Sequence, residues 1–190
     1  MRGLNKNIEI FLFSDVLYWG AISIIGTFLS IFITLKIAPN DIEAVGLVVA
    51  IYLVVSGITG VPISLYTRRL STEAKINLFS AAYIFYGFIV AFMGFSDHLW
   101  QIIAFRIVIA IIEGMTYPLK WALFSKIQEK GTEETTWSIE SLTSSLAAAL
   151  FALLAGYVGS NYGLSYVFII SGVLISLSGV FVKFIKINSI

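Results

Sequence analysis

The sequence has no cysteine, and only one of its 190 residues, His98, is a histidine. Without cysteine the chain forms no disulfide and offers no thiolate for metal binding or nucleophilic attack. One histidine and no Gly-x-Ser-x-Gly elbow argue against zinc centres, haem ligation and Ser-His catalysis. We therefore expect no enzyme activity, no metal and no cofactor, and the net charge of +1 gives no indication of nucleic-acid binding.

Charged residues are also scarce, at 12% of the chain, whereas 58% of the residues are hydrophobic. A soluble domain carries about 45–50% apolar and about 25% charged residues. The apolar surplus exceeds what one buried core can hold, and lipid is the solvent that tolerates an apolar surface. The composition therefore predicts an integral membrane protein.

Six apolar runs are each long enough to cross the membrane, since about 20 helical residues span about 30 Å of hydrocarbon. They cover approximately residues 10–35, 43–66, 75–95, 99–125, 137–159 and 164–185. The breaks between them are short and polar, which leaves no room for a soluble domain. We predict that residues 1–190 form a single all-α domain of six transmembrane helices.

Basic residues are distributed unevenly between the two ends of these helices. The N-terminus, the second and fourth breaks and the C-terminal tail hold nine of them, and the opposite side holds only Lys36. The nine are Arg2, Lys6, Arg68, Arg69, Lys75, Lys126, Lys130, Lys183 and Lys186. Cytoplasmic loops carry such an excess. Both termini are therefore predicted to be cytoplasmic, in the cell membrane, and two copies would lie parallel.

The fourth run carries the most specific motif, the segment RIVIAIIEGMTYP that begins at residue 106. It resembles the major facilitator superfamily, in which the fourth helix of a six-helix half often reads Arg-x-x-x-Gly-x-x-Glu-Gly-x-x-Tyr-Pro. The matching residues are Arg106, Glu113, Gly114, Tyr117 and Pro118. Ala110 departs from the pattern, because glycine is usual at that position.

The loop after the second run carries a second, weaker match to the same family. Gly60, Arg68 and Arg69 agree with the family's Gly-x-x-x-Asp-Arg-x-Gly-Arg-Arg loop. Ser64 replaces the aspartate that ties this loop to a neighbouring helix in the family. The resemblance thus implies a basic cytoplasmic loop without that acidic contact.

The resemblance implies a solute transporter that works by alternating access. Family members usually have twelve helices in two six-helix halves, each built from 3+3 repeats. This chain resembles one half, so the predicted partner that completes the pathway is a second copy, in a parallel homodimer around a two-fold axis. The expected partners are a small-molecule solute, that second copy and the lipid bilayer.

Three charged residues of the fourth run, Arg106, Glu113 and Lys120, are spaced by seven and share one helix face. Charges inside a membrane face protein or water. This face is therefore a candidate wall of the solute and proton pathway, with Glu113 near mid-depth as a candidate proton carrier. The alternative is that the basic residues extend to the interfaces and Glu113 bonds a neighbouring helix. The aromatic candidates for the same pathway are Tyr18, Trp19, Tyr52, Tyr117 and Trp121.

Three charged residues that lie at a similar depth in the membrane predict a cytoplasmic gate. Asp15 and Glu140 lie about one turn inside the cytoplasmic boundary, and Lys120 lies at a similar depth on a helix that runs the other way. We add Arg68 and Arg69 of the cytoplasmic loop to this candidate gate. The alternative is that both acids lie near the starts of their helices, where the helix dipole stabilises them, and face water.

Small residues indicate where helices approach closely. Those of the fifth run are Ser144, Ala148, Ala152 and Gly156, and those of the second run are Gly46, Ala50 and Gly57. The second and fifth helices meet across the interface between halves in the family, so these residues are candidates for dimer contacts. Packing within one protomer is the alternative.

The leading prediction is therefore a secondary transporter built as a homodimer, with proton coupling as a candidate feature. Two alternatives stay open. The chain is a membrane interaction or regulatory protein that moves no solute, or it is one half of a heterodimeric transporter.

Overall fold

The computed structural model describes residues 5–186 and shows six long helices. They are α1 (Lys6–Phe32), α2 (Ile42–Thr67), α3 (Thr72–Met93), α4 (Leu99–Ile127), α5 (Glu133–Tyr162) and α6 (Leu164–Val182). A π-helical segment, Ile33–Ile37, extends α1. Each helix is long and apolar enough to cross a membrane. The predicted all-α class with six spans is confirmed. Arg2, one of the nine basic residues used to predict the orientation, lies outside the described residues.

Helix α5 begins at Glu133, four residues before the first apolar position that the sequence indicated. Glu133 and Glu134 occupy its first turn. Acidic side chains are stabilising there because the amide groups at a helix N-terminus carry partial positive charge. Hydropathy does not detect such a polar first turn. Three other helices begin at side-chain caps. Asn5 accepts from the Asn7 backbone amide at 3.1 Å, Asp41 from that of Ala44 at 3.0 Å and Ser71 from that of Ala74 at 3.2 Å.

The helices pack in an interleaved order. The main helix pairs are α3 with α6, α2 with α4, α1 with α6, α1 with α5, and α3 with α4. Helix α1 contacts α4 directly as well. Helices α2 and α5 lie at the periphery, so their outer faces present many exposed apolar side chains, Leu53 and Leu153 among them.

Both described ends of the chain lie on the same side of the bundle. The side-chain amide of Asn7 donates to the Lys186 carbonyl oxygen at 2.8 Å, and the Lys186 backbone amide donates to Asn7 Oδ1 at 3.0 Å. On the opposite side, Lys36 forms an exposed ion pair with Asp97 at 3.1 Å. An even number of crossings requires this arrangement of the ends.

Glycine allows α3 and α6 to pack at backbone contact distance. A Cβ atom on Gly87 would lie 2.8 Å from the Ser176 amide nitrogen. A Cβ atom on Gly172 would lie 2.9 Å from the Ala91 amide nitrogen. Close approach maximises van der Waals contact, which is the main attraction between helices in lipid.

Replacing Gly87 with valine should therefore destabilise the bundle. Overpacking of this kind costs about 1–3 kcal/mol, and a domain of this size loses about 2–4 °C of unfolding temperature per kcal/mol. Thermal unfolding of the purified protein, followed by tryptophan fluorescence, measures the loss. Gly26→Val is the matched control, because Gly26 is exposed and a Cβ there meets nothing within 4 Å. Equal losses in the two variants would contradict this account of the α3–α6 contact.

Candidate functional site

A buried carboxylate lies at the centre of the bundle. Glu113 is midway along α4 and only 8% exposed. Its Oε1 atom accepts hydrogen bonds from Tyr18 of α1 and Tyr86 of α3, each at 2.9 Å. Its Oε2 atom accepts a hydrogen bond from Tyr52 of α2. Three neighbouring helices therefore donate to a single side chain of α4.

Arg106, two turns from Glu113 on the same helix, is also buried. Its guanidinium carbon lies 3.8 Å from the centroid of the Tyr52 ring, a distance typical of a cation–π contact. Tyr52 thus contacts Arg106 with its ring and Glu113 with its hydroxyl group. Arg106 and Glu113 share one face of α4, as predicted. They are connected through Tyr52 of α2, which contacts both.

A cavity of about 520 Å³ opens beside Glu113, between α1, α2 and α4. We call it the Glu113 cavity. Its lining residues are Tyr18, Trp19, Ile22, Tyr52, Ser56, Gly57, Gly60, Val61, Ser64, Glu113, Gly114, Tyr117 and Pro118. Tyr117 and Val61 are 54% and 66% exposed, so one side of the cavity is open.

The two glycines of the family-like motifs lie together at the α2–α4 crossing. A Cβ atom on Gly114 would lie 2.8 Å from the Ser56 carbonyl oxygen and 3.2 Å from the Gly60 amide nitrogen. Gly60 and Gly114 both line the Glu113 cavity. The glycines therefore bring α2 close enough to α4 for Tyr52 to reach Glu113.

The second polar cluster joins α1, α4 and α5. Lys120 forms an ion pair with Asp15, and the two residues are 2% and 3% exposed. Ser144 donates to Glu140 Oε1 at 2.8 Å and lies 3.4 Å from Asp15 Oδ2. The structure thus brings together the three residues that depth alone placed at one level. We call Asp15, Lys120, Glu140 and Ser144 the α1–α4–α5 cluster.

Aromatic rings surround the ammonium group of this cluster. The Lys120 Nζ atom lies 4.7 Å from the Tyr18 ring centroid, 4.9 Å from that of Trp19 and 4.7 Å from that of Trp121. Trp121 also packs on Trp137, with ring centroids 4.8 Å apart. Cation–π contacts stabilise a charge that is removed from water. Tyr18 and Trp19 reach both the Glu113 cavity and Lys120, so they connect the two polar centres.

Some predicted residues lie elsewhere. Arg68 and Arg69 are exposed in the turn after α2, and within residues 5–186 neither forms an ion pair with the α1–α4–α5 cluster. In α5, the ridge of Ser144, Ala148, Ala152 and Gly156 faces α1, where Ser23 donates to the Ala148 carbonyl oxygen at 3.0 Å. In α2, Gly46, Ala50 and Gly57 are all exposed.

Sequence reasoning missed Tyr86 and Trp137. Tyr86 lies in the middle of α3, which carries no motif, and only the packing of α3 against α4 brings it to Glu113. Trp137 lies at the start of the fifth apolar run, where tryptophan is ordinarily an interface residue. The one available signal for Tyr86 was that a buried tyrosine hydroxyl in lipid requires an acceptor.

These features define a polytopic helical membrane protein with two buried polar centres and a half-open cavity. The profile of the Major Facilitator Superfamily matches residues 11–188. The chain therefore belongs to this superfamily, whose members are membrane transporters. This family assignment confirms the resemblance found at Arg106, Glu113, Gly114, Tyr117 and Pro118.

A solved structure has the same fold. The in meso crystal structure of the POT family transporter PepTSo superposes with a TM-score of 0.75 at 17% sequence identity. The match covers 95% of this chain and 37% of that transporter. The chain thus spans well under two thirds of the length of its structural relative. No curated protein sequence matches this chain significantly.

Removing the partner of Lys120 should be costly. In Asp15→Asn the buried amino group of Lys120 loses its ion-pair partner, which should cost about 3–5 kcal/mol. The double variant Asp15→Asn/Lys120→Met removes both charges and should recover much of that loss. Thermal unfolding of the purified variants measures both effects.

The matched control for this prediction is the exposed pair on the other side of the bundle. Lys36→Met breaks the ion pair with Asp97, whose side chains are 43% and 72% exposed, and should cost less than about 1 kcal/mol. If the double variant is as unstable as Asp15→Asn, the unpaired charge is not the cause of the loss.

Proposed function

We propose that this chain is a secondary transporter of a small solute, working by alternating access as a parallel homodimer in the cell membrane. The observation that carries the proposal is the half-open Glu113 cavity. A single protomer leaves one side of this cavity open, beside a buried carboxylate. Such a cavity would form half of a solute pathway that a second protomer completes. Membership of the Major Facilitator Superfamily supports the transport function.

A 3+3 internal repeat within a single domain is part of this proposal, and the helix contacts support it. Exchanging the first three helices with the last three turns α1–α5 into α4–α2 and α1–α6 into α4–α3. All four of these pairs are in contact, while the α3–α6 and α1–α4 pairs map onto themselves. The α5–α6 contact has no equally extensive counterpart between α2 and α3. The polar centres lie mainly on α1 and α4, which the exchange interconverts.

The proposed gate is the α1–α4–α5 cluster. Asp15 and Lys120 connect α1 to α4, so the ion pair must break or move if these two helices separate on the cytoplasmic side. Because the ion pair is buried, it is either formed or broken, with no stable intermediate separation. A transport cycle with two packed states requires such a contact. Arg68 and Arg69 act in this proposal through their charge at the membrane surface.

The proposed orientation places both termini in the cytoplasm. The Asn7–Lys186 contact brings the two described ends to one side, and Lys126 in the last turn of α4 and Lys130 just after that helix lie toward the same side. Lys36 stands at the opposite end of α1 and is paired with Asp97. The positive-inside rule then selects the side with the terminal residues as cytoplasmic.

Transport itself is tested with purified protein in liposomes. A ligand-dependent thermal-shift screen identifies a solute, and counterflow of that radiolabelled solute measures movement across the membrane. We expect saturable uptake that requires this chain alone. Binding without uptake would contradict the transporter and would favour a membrane interaction protein.

Proton coupling is proposed for Glu113 and is tested by Glu113→Gln. Glutamine keeps the size of the side chain but takes up no proton. Uptake of the identified solute in liposomes with an imposed pH gradient should fall to the level without a gradient. Glu43→Gln, in the exposed first turn of α2, is the control and should keep the wild-type response. A Glu113→Gln variant that still responds fully to the gradient would remove Glu113 from proton transfer.

The homodimer is tested by mass. One chain is 20.9 kDa, so a dimer in lipid nanodiscs should be twice as heavy after subtraction of the lipid and scaffold. Gly46→Leu should shift the protein toward monomer, because a bulky side chain blocks close approach at an exposed position of α2. Gly26→Leu, at an exposed position of α1, is the control. Strictly monomeric wild-type protein would overturn the homodimer.

A further inference from the structure

The Glu113 cavity presents a single charged side chain. Glu113 is the one acidic residue among the cavity lining, and no lysine or arginine lines it. Arg106 contacts the Tyr52 ring but is absent from the lining. Within residues 5–186 no cationic group lies within 4 Å of the Glu113 carboxylate. The charge that faces the cavity is therefore negative.

The hydrogen bonds of Glu113 leave an acceptor position open. An ionised carboxylate offers about four acceptor positions. Two tyrosine hydroxyls occupy Oε1, and one occupies Oε2. These neutral donors satisfy the oxygen atoms without supplying a counter-charge. A positively charged ligand in the cavity would supply it.

The walls of the cavity suit the apolar body of such a ligand. Tyr18, Trp19, Tyr52 and Tyr117 contribute aromatic surface, and Ile22, Val61 and Pro118 contribute aliphatic surface. Aromatic faces attract cations electrostatically. The volume of about 520 Å³ lies in the range of small-molecule sites, about 300–1,000 Å³.

The polar lining does not suit an anion or a polyhydroxylated ligand. An anion would meet the like charge of Glu113. A sugar requires several hydrogen-bonding partners, but the two serines that line the cavity already donate within their own helix. Ser56 donates to the Leu53 carbonyl oxygen at 3.1 Å, and Ser64 donates to that of Val61 at 2.7 Å.

We propose that the Glu113 cavity binds a monovalent organic cation with an apolar, aromatic body, and that Glu113 supplies the counter-charge. The proposal rests on the proposed transport function in so far as this ligand is the transported solute. The binding step itself is measured separately from transport.

The test uses two probes of the same shape and opposite charge. Radiolabelled tetraphenylphosphonium is bound to purified protein in nanodiscs and measured by scintillation proximity, with unlabelled tetraphenylphosphonium or tetraphenylborate as competitor. We expect saturable binding that the cation displaces and the anion does not. Equal displacement by both ions, or no saturable binding, would overturn the proposal without any variant.

The site is assigned with three glutamate variants. Glu113→Gln should weaken binding of tetraphenylphosphonium by about tenfold or more, the scale of a lost buried charge partner. Glu43→Gln should bind it as the wild type does, because Glu43 is exposed at the start of α2. A loss in Glu140→Gln with unchanged binding in Glu113→Gln would place the cation in the α1–α4–α5 cluster and would overturn the proposal.

The outcomes separate this proposal from the proposed function. Charge-selective binding that depends on Glu113, together with absent counterflow, would uphold the cation site and overturn the transporter. Counterflow of a solute, together with binding that ignores the charge of the probe, would uphold the transporter and overturn the cation site.

Discussion

The burial of a carboxylate at mid-depth constrains the packing of this bundle. Glu113 takes hydroxyl donors from α1, α2 and α3, and its own helix is α4. A buried polar group without partners costs several kcal/mol in lipid, where no water replaces them. Four of the six helices must therefore hold their mutual positions for one side chain to be satisfied. The three donors are neutral hydroxyl groups, so they achieve this without placing a positive charge beside the carboxylate.

The second polar centre differs in kind, because it pairs opposite charges. Lys120 and Asp15 bind α4 to α1, and Ser144 connects that pair to Glu140 on α5. Each centre therefore spans the helices that the proposed internal repeat exchanges. Tyr18 contacts both, since its hydroxyl bonds Glu113 and its ring faces Lys120. Tyr18 therefore connects the two centres through a single side chain.

Sequence reasoning reached the spans, the family and much of the polar core for a physical reason. A charge in an apolar helix is visible in the sequence, and alternating helix direction gives its depth, so Asp15, Lys120 and Glu140 could be placed at one level. The hydrogen bonds that Tyr18, Tyr52 and Tyr86 donate to Glu113 could not be predicted. Lipid-facing and buried faces are equally apolar, and hydropathy does not reveal which helices are neighbours. Tyr86 is found only once α3 is packed against α4.

The open side of the Glu113 cavity would expose a carboxylate to the membrane interior if one protomer stood alone in lipid. Tyr117 and Val61 border it and are more than half exposed, and Gly46 and Ala50 leave the adjoining face of α2 smooth. If acyl chains filled the opening, the carboxylate would border hydrocarbon, which is unfavourable for a charged group. A second six-helix unit over the same face would replace that hydrocarbon with protein or enclosed water. The polar centre and the exposed face of α2 therefore both support the proposed pairing of two six-helix units.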